Sequence, residues 1–136
     1  MTIWCDASTA AQIVKSGNRV FLHGRYSTPT PLIEALVARG EELQDVEILP
    51  TLSFGPVPYL DPRWKGHFNV NTIFVGASER EAVNAGRASY APTFLSYVAT
   101  LFKWVVGWCS TCPDEDGVHT KVPLPARVQI ANWAKR

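Results

Sequence analysis

The chain has 136 residues, room for one compact domain around one core. Hydrophobic residues make up 46% and charged residues 18%, which is enough apolar material to fold and too little charge for a disordered tail or a coiled coil. Thirteen basic against 12 acidic residues leave a net charge of +1 with no block of like charges, so composition gives no electrostatic footprint for nucleic acid or an anionic membrane.

The longest uncharged apolar run, Ala88 to Phe102, contains Pro92 and several hydroxyl residues and is shorter than the roughly 20 residues a spanning helix needs. No membrane helix is expected. Met1 to Ser8 carries Asp6 and no basic residue ahead of an apolar stretch, unlike a secretory signal. Three cysteines are an odd number and too few for a disulfide framework, which favours a reducing, cytoplasmic location.

In chain order, Ala10, Ala11, Ile13 and Val14 recur at helical spacing, with Asp6 or Ser8 as cap and Gly17 past the end, which predicts a helix over Ser8–Ser16. Arg19 to His23 is a β-branched and apolar run of strand length, closed by Gly24. Pro29 and Pro31 make the next segment a loop, after which Leu32, Ile33, Leu36 and Val37 predict a helix over Pro31–Arg39 with Thr30 as cap and Gly40 as stop. Val46 to Leu52 reads as a second strand, and Gly55 to Pro62 as a second proline-rich loop. Phe68 to Phe74 alternates apolar with polar residues, the period of a half-buried strand. Ser78 and Glu81 have the spacing of a capping box, predicting a helix over Ser78–Ala85. Strands alternating with helices predict an α/β fold: a three-layer, open, mostly parallel sheet with helices on both faces. From Lys103 the pattern lapses, so the expected division is a domain over residues 1–102 and a divergent tail over 103–136.

His23-Gly24-Arg25 closes the first strand and leads through a hydroxyl-rich loop to a helix amino terminus, where open α/β sheets usually hold ligands. Free N–H groups from Thr30 to Ile33 and the helix dipole would favour an anion there, with Arg25 adding a charge-assisted contact. The plainer reading is that His23 and Arg25 cap a strand end and face water. Cys109 and Cys112 have the spacing of half a zinc site or a redox pair, but no second half exists, so they read as ordinary thiols and no metal site is expected. Phosphate-loop, nucleophile-elbow and kinase signatures are absent.

Taken together, Ser16 to Gly24, Thr30 to Leu36, and Phe74-Val75-Gly76 followed by Arg80, Ala82, Gly86-Arg87-Ala88 and Tyr90-Ala91-Pro92 resemble the start of the acetyl-CoA hydrolase / acyl-CoA:carboxylate CoA-transferase family. The resemblance spans about residues 8 to 102 and is densest from Phe74 to Phe102. Pro113-Asp114-Glu115 and Gly117 also resemble a family turn that normally follows a buried aliphatic strand, here replaced by Val105 to Cys112.

The resemblance implies one of two facing α/β lobes with coenzyme A or acyl-CoA bound between them as substrate, together with a small carboxylate, and no bound cofactor. It implies a glutamate nucleophile that forms a thioester with CoA and lies in the second lobe. No acidic residue here matches it, so no catalytic residue is assigned and the chain is expected to be inactive alone. The candidate substrate-binding residues are His23, Gly24, Arg25, Ser27, Thr28, Gly55 and Gly76. The expected partner is a second lobe or another copy of the chain, met through the aromatic-rich stretch of Phe94, Tyr97, Phe102, Trp104 and Trp108. The alternative is a free-standing module that binds a small ligand or a partner without catalysis.

Overall fold

The computed structural model describes residues 4–98, 105–108 and 122–123. The elements are β1 (Trp4–Cys5), α1 (Ala7–Ala11), β2 (Arg19–Leu22), α2 (Thr30–Ala38), β3 (Val46–Pro50), β4 (Phe68–Thr72), α3 (Ala77–Asn84), β5 (Ala88–Tyr90), β6 (Val105–Trp108) and β7 (Val122–Pro123). Five strands form one sheet in the order β5-β4-β3-β2-β6, and every neighbouring pair is parallel. β1 and β7 make a separate two-residue antiparallel ladder. The fold is therefore the open, parallel α/β sheet predicted from the alternation of elements, with the three described helices packed on one face instead of shared between both.

From β2 to β5 the chain steps steadily toward one edge of the sheet, and it then returns to pair β6 on the far side of β2. Right-handed crossovers place connections of opposite direction on opposite faces. Consistent with this, residues of α1, α2 and α3 share one buried cluster with the inward residues of the sheet: Ala11, Leu32, Ile33, Leu36, Val37 and Ala82 lie with Val20, Leu22, Ile48 and Val70. On the other face Leu49 and Ile73 are buried with Phe21, Phe74 and Val98 around them. Val98 belongs to the returning connection between β5 and β6.

The helix ends show where local signals are overridden. Asp6 caps α1 by accepting from the Thr9 N–H at 2.7 Å, as its position suggests, but the helix stops at Ala11 instead of reaching Ser16. The Arg39 guanidinium donates to the carbonyls of Ala11 (2.6 Å) and Val14 (3.3 Å), satisfying groups that a longer helix would have used internally. At α2 the cap is Pro29, and Thr30 is already helical. α3 starts at Ala77 behind Gly76, and the expected capping box does not form. Ser78 instead donates to the Ser53 carbonyl at 3.4 Å, and Glu81 pairs with Arg87 at 3.1 Å. All three predicted strands end one or two residues early, because their last residues turn into the loops described below.

The face opposite the helices divides in two. Toward the strands' carboxyl ends it is apolar, with Phe21, Leu49 and Ile73, while toward their amino ends it carries Arg19 paired with Glu47, whose carboxylate also accepts from Asn71, farther along β4, at 3.3 Å. The hydrogen bond from Arg19 holds the Glu47 carboxyl below its ordinary value of 4.5, with burial opposing and Asn71 assisting. A carboxyl whose pKa is lower folded than unfolded adds stability above the unfolded value and loses it as the pH falls through the folded one. Wild type should therefore lose stability between about pH 5 and pH 3 more steeply than Glu47→Gln in denaturant titrations, and parallel curves for the two proteins would contradict this.

Candidate functional site

In an all-parallel sheet every carboxyl end faces the same edge, and the loops after β2, β3 and β4 must meet there. The order reverses between β2 and β6, and open α/β sheets leave a crevice at such a reversal. The loop after β2 carries five of the seven predicted residues. His23 is exposed, its Nδ1 3.2 Å from the Gly24 carbonyl and its ring edge-on to Phe21. Gly24 is buried and admits no side chain: a Cβ would lie 2.7 Å from both the N and the O of Leu52 and from the Thr51 hydroxyl.

That close approach lets the Arg25 N–H donate to the Leu52 carbonyl at 2.7 Å. Arg25 itself has φ +56°, a left-handed conformation uncommon for a residue with a side chain. Its guanidinium is exposed and forms no ion pair among the described residues. Ser27 is half-buried in the short turn Arg25–Ser27, and Thr28 closes that turn by donating its hydroxyl to the Arg25 carbonyl at 2.7 Å. The same Thr28 oxygen accepts from the Phe54 N–H at 3.3 Å, tying this loop to the one after β3.

Gly55 follows Phe54 at φ +88°, exposed and with open space where a Cβ would project. Gly76 lies at the end of the loop after β4, buried against the Leu52 side chain and the Glu79 carboxylate. The structure thus brings His23, Gly24, Arg25, Ser27, Thr28 and Gly55 to one rim and sets Gly76 beneath it.

One expected feature is absent. The Thr30 N–H is taken by the Thr28 carbonyl at 2.9 Å, Pro31 has none, and those of Leu32 and Ile33 both point to the Pro29 carbonyl at 3.0 Å. The start of α2 has its donors occupied, so only the helix dipole and Arg25 remain to favour an anion there.

Sequence patterns passed over four further residues. Tyr26 is 93% exposed and meets Phe54, 44% exposed, edge-to-face at 5.6 Å, so the rim carries two rings beside a cation. Beneath them, Ser53 and Tyr59 are buried with their hydroxyls 3.0 Å apart. Burial pushes the Tyr59 hydroxyl's pKa up, the Ser53 hydrogen bond lowers it and the charge of Glu79 raises it further, so the phenol stays protonated. The periodicity of this segment is broken by Pro50, Pro56 and Pro58, which hides the packing role of the residues between them. Chemically the rim offers a cation, hydroxyls and aromatic surface, which are binding groups.

A concavity of about 600 Å³ lies elsewhere, at the amino ends of β4 and β5, lined by Trp64, Phe68, Lys65, Asn69 and Arg87 among others. None of the seven predicted residues lines it. The Arg87 guanidinium there is already engaged, donating to the Leu60 carbonyl and to Glu81. Among the described residues no group of three His, Cys, Asp or Glu side chains is placed to hold a metal, and no helix is long and apolar enough to cross a membrane. Cys109, Cys112 and the turn from Pro113 to Gly117 fall outside the described residues.

The fold is an open, parallel α/β sheet with helices packed on it, and comparison with known proteins gives its family. Residues 4–111 match the acetyl-CoA hydrolase/transferase N-terminal domain, so the chain belongs to that family. It is 37% identical over 92 residues to the succinyl-CoA:acetate/propanoyl-CoA:succinate CoA transferase of Fasciola hepatica, covering 66% of this chain and 19% of that one. It is 34% identical over 97 residues to the 4-hydroxybutyrate coenzyme A transferase of Clostridium kluyveri, covering 71% of this chain and 23% of that one. The chain therefore spans a quarter or less of the length of these two curated relatives. Among solved structures, RipA from Yersinia pestis superposes with a TM-score of 0.60 at 16% identity over 73% of this chain and 26% of its own, which establishes likeness of fold.

Because the atoms a Cβ at Gly24 would meet are mostly backbone, Gly24→Ala should force β2 and β3 apart at their carboxyl ends and destabilise the chain by about 1–3 kcal/mol in urea unfolding, the usual range for overpacking. Unchanged stability would mean the two strand ends are not held this closely.

Proposed function

We propose that these residues form the first-lobe side of an acyl-CoA cleft, in a protein that moves CoA between an acyl-CoA and a small carboxylate or releases it to water. The observation that carries the reading is the unpaired Arg25 guanidinium beside the Tyr26 and Phe54 rings at the carboxyl edge of β2, next to the reversal of strand order. Arg25 would contact a phosphate or carboxylate of the substrate, charges it meets with a planar fork of donors. The left-handed Arg25 turns the chain at the rim, the exposed Gly55 has no side chain to block close approach, and His23 borders them. Gly24 and Gly76 act beneath it by letting the three loops meet.

Membership of the CoA-transferase family supports this reading, as do relatives whose names specify succinyl-CoA, propanoyl-CoA, acetate and 4-hydroxybutyrate chemistry. Coenzyme A thioesters are then substrates, and no separate cofactor is invoked. The family's carboxylate nucleophile belongs to a second lobe, so residues 1–136 alone would bind without turning over. A carboxylate nucleophile divides one difficult acyl transfer into two easier ones, and without it that route is closed. The second lobe, or another copy of this chain, would cover the surface where Tyr90, Phe94 and Tyr97 lie 49%, 76% and 59% exposed. A cytoplasmic setting fits a pool of acyl-CoA and reduced thiols.

Two measurements test this. Arg25→Ala should weaken acetyl-CoA binding by roughly tenfold in calorimetry, as expected for loss of one hydrogen-bonded charge contact, and unchanged affinity would return Arg25 to the solvated surface. The purified chain should show no acetyl-CoA:acetate exchange and no hydrolysis until a complementary lobe is added. Turnover by the chain alone would overturn the division of labour between lobes.

A further inference from the structure

Glu79 is fully buried at the first turn of α3, a position where an aliphatic side chain would ordinarily pack. Its Oε1 accepts from the Ser53 N–H at 3.2 Å, while its Oε2 has no hydrogen-bond partner among the described residues and stands against Gly76. Burying a carboxylate with one oxygen unserved is unfavourable, and apolar replacements of buried charges are often neutral or stabilising. Core packing therefore does not account for an acid here. Its one recorded hydrogen bond suggests what does.

Three consecutive residues of the loop after β3 are tied to other elements. Leu52 accepts from Arg25, Ser53 donates to Glu79, and Phe54 donates to Thr28. Ser53 is held on two more sides, its carbonyl by the Ser78 hydroxyl and its own hydroxyl by Tyr59. The outer two ties join this loop only to the loop after β2, so the pair could shift together. The tie to Glu79, with its neighbour from Ser78, anchors both loops to α3.

We propose that Glu79 is a positioning residue for the acyl-CoA site: by holding the Ser53 N–H it fixes Phe54 and, through the shared hydrogen bonds, Arg25 and Tyr26 in their binding arrangement. This rests on the reading of the carboxyl edge as the acyl-CoA site. Reach matters more than charge in such a role. Aspartate keeps the carboxyl group but is one methylene too short to meet the Ser53 N–H, whereas glutamine keeps an acceptor oxygen at the same reach.

The test is amide NMR of the full chain with acetyl-CoA titration, on wild type, Glu79→Asp and Glu79→Gln. Glu79→Asp should speed exchange of the Ser53 and Phe54 amides, leave the β3 amides protected, and weaken acetyl-CoA binding roughly tenfold, about the worth of one lost hydrogen bond. Glu79→Gln should stay within about threefold of wild type in both readouts, since its acceptor is retained. The second variant, Ser78→Ala, should weaken binding in the same direction by a smaller factor, and it carries the test if Glu79→Asp fails to fold. Wild-type affinity in both Glu79→Asp and Ser78→Ala, or a Glu79→Gln variant weaker than Glu79→Asp, would overturn the positioning role. If wild type itself shows no acetyl-CoA shifts at residues 23–28 and 52–55, the acyl-CoA reading fails; faster Ser53 exchange in Glu79→Asp would then still show that Glu79 holds the loop.

Discussion

The carboxyl edge of this lobe depends on one close contact, the seating of Gly24 on the backbone of Leu52. A side chain at position 24 would collide with peptide atoms that cannot move without parting β2 from β3. With hydrogen in its place, the Arg25 N–H reaches the Leu52 carbonyl, the loop turns through a left-handed Arg25, and Thr28 comes within reach of Phe54. The exposed rings and the guanidinium at the rim are where they are because of that approach. Pre-set geometry of this kind lowers the ordering cost of binding.

Sheet topology sets where the rim lies. A single reversal of direction, after β5, brings Val98 onto the face opposite the helices and leaves β2 flanked by strands reached in opposite directions, the position at which open α/β sheets usually form a crevice. The two faces differ accordingly. One is filled by aliphatic residues of three helices, and the other, among the described residues, has its apolar cluster near the carboxyl ends, where Val98 approaches Leu49 and Ile73. Arg19 and Glu47, toward the amino ends, form with Asn71 a partly solvated network, an arrangement that costs little and contributes modestly.

Much of this was legible in the sequence, for identifiable reasons. β2, β3 and β4 combine β-branched or alternating apolar residues with flanking glycine and proline, and α2 has four apolar residues on one face; both are strong local signals. β5 and β6 are three and four residues long, too short for a period to emerge, and they exist because a parallel neighbour offers a free edge. The early end of α1 depends on Arg39, 28 residues away, which no local pattern contains. Among the site residues, the loop from His23 to Thr28 followed from strand, loop and helix in succession. Glu79 did not, because Ser78 and Glu81 fit a capping box so well that the acid between them reads as solvent-facing. Burial is a tertiary property, and at position 79 it reverses the meaning of the residue type.

The central claim is that acyl-CoA is held at the carboxyl edge of the sheet. A crystal structure of the chain with acetyl-CoA, alone or joined to a complementary lobe, tests it most directly. The account predicts ligand density against Arg25, Tyr26 and Phe54. Density confined to the groove lined by Trp64, Lys65 and Arg87 at the opposite edge would contradict it.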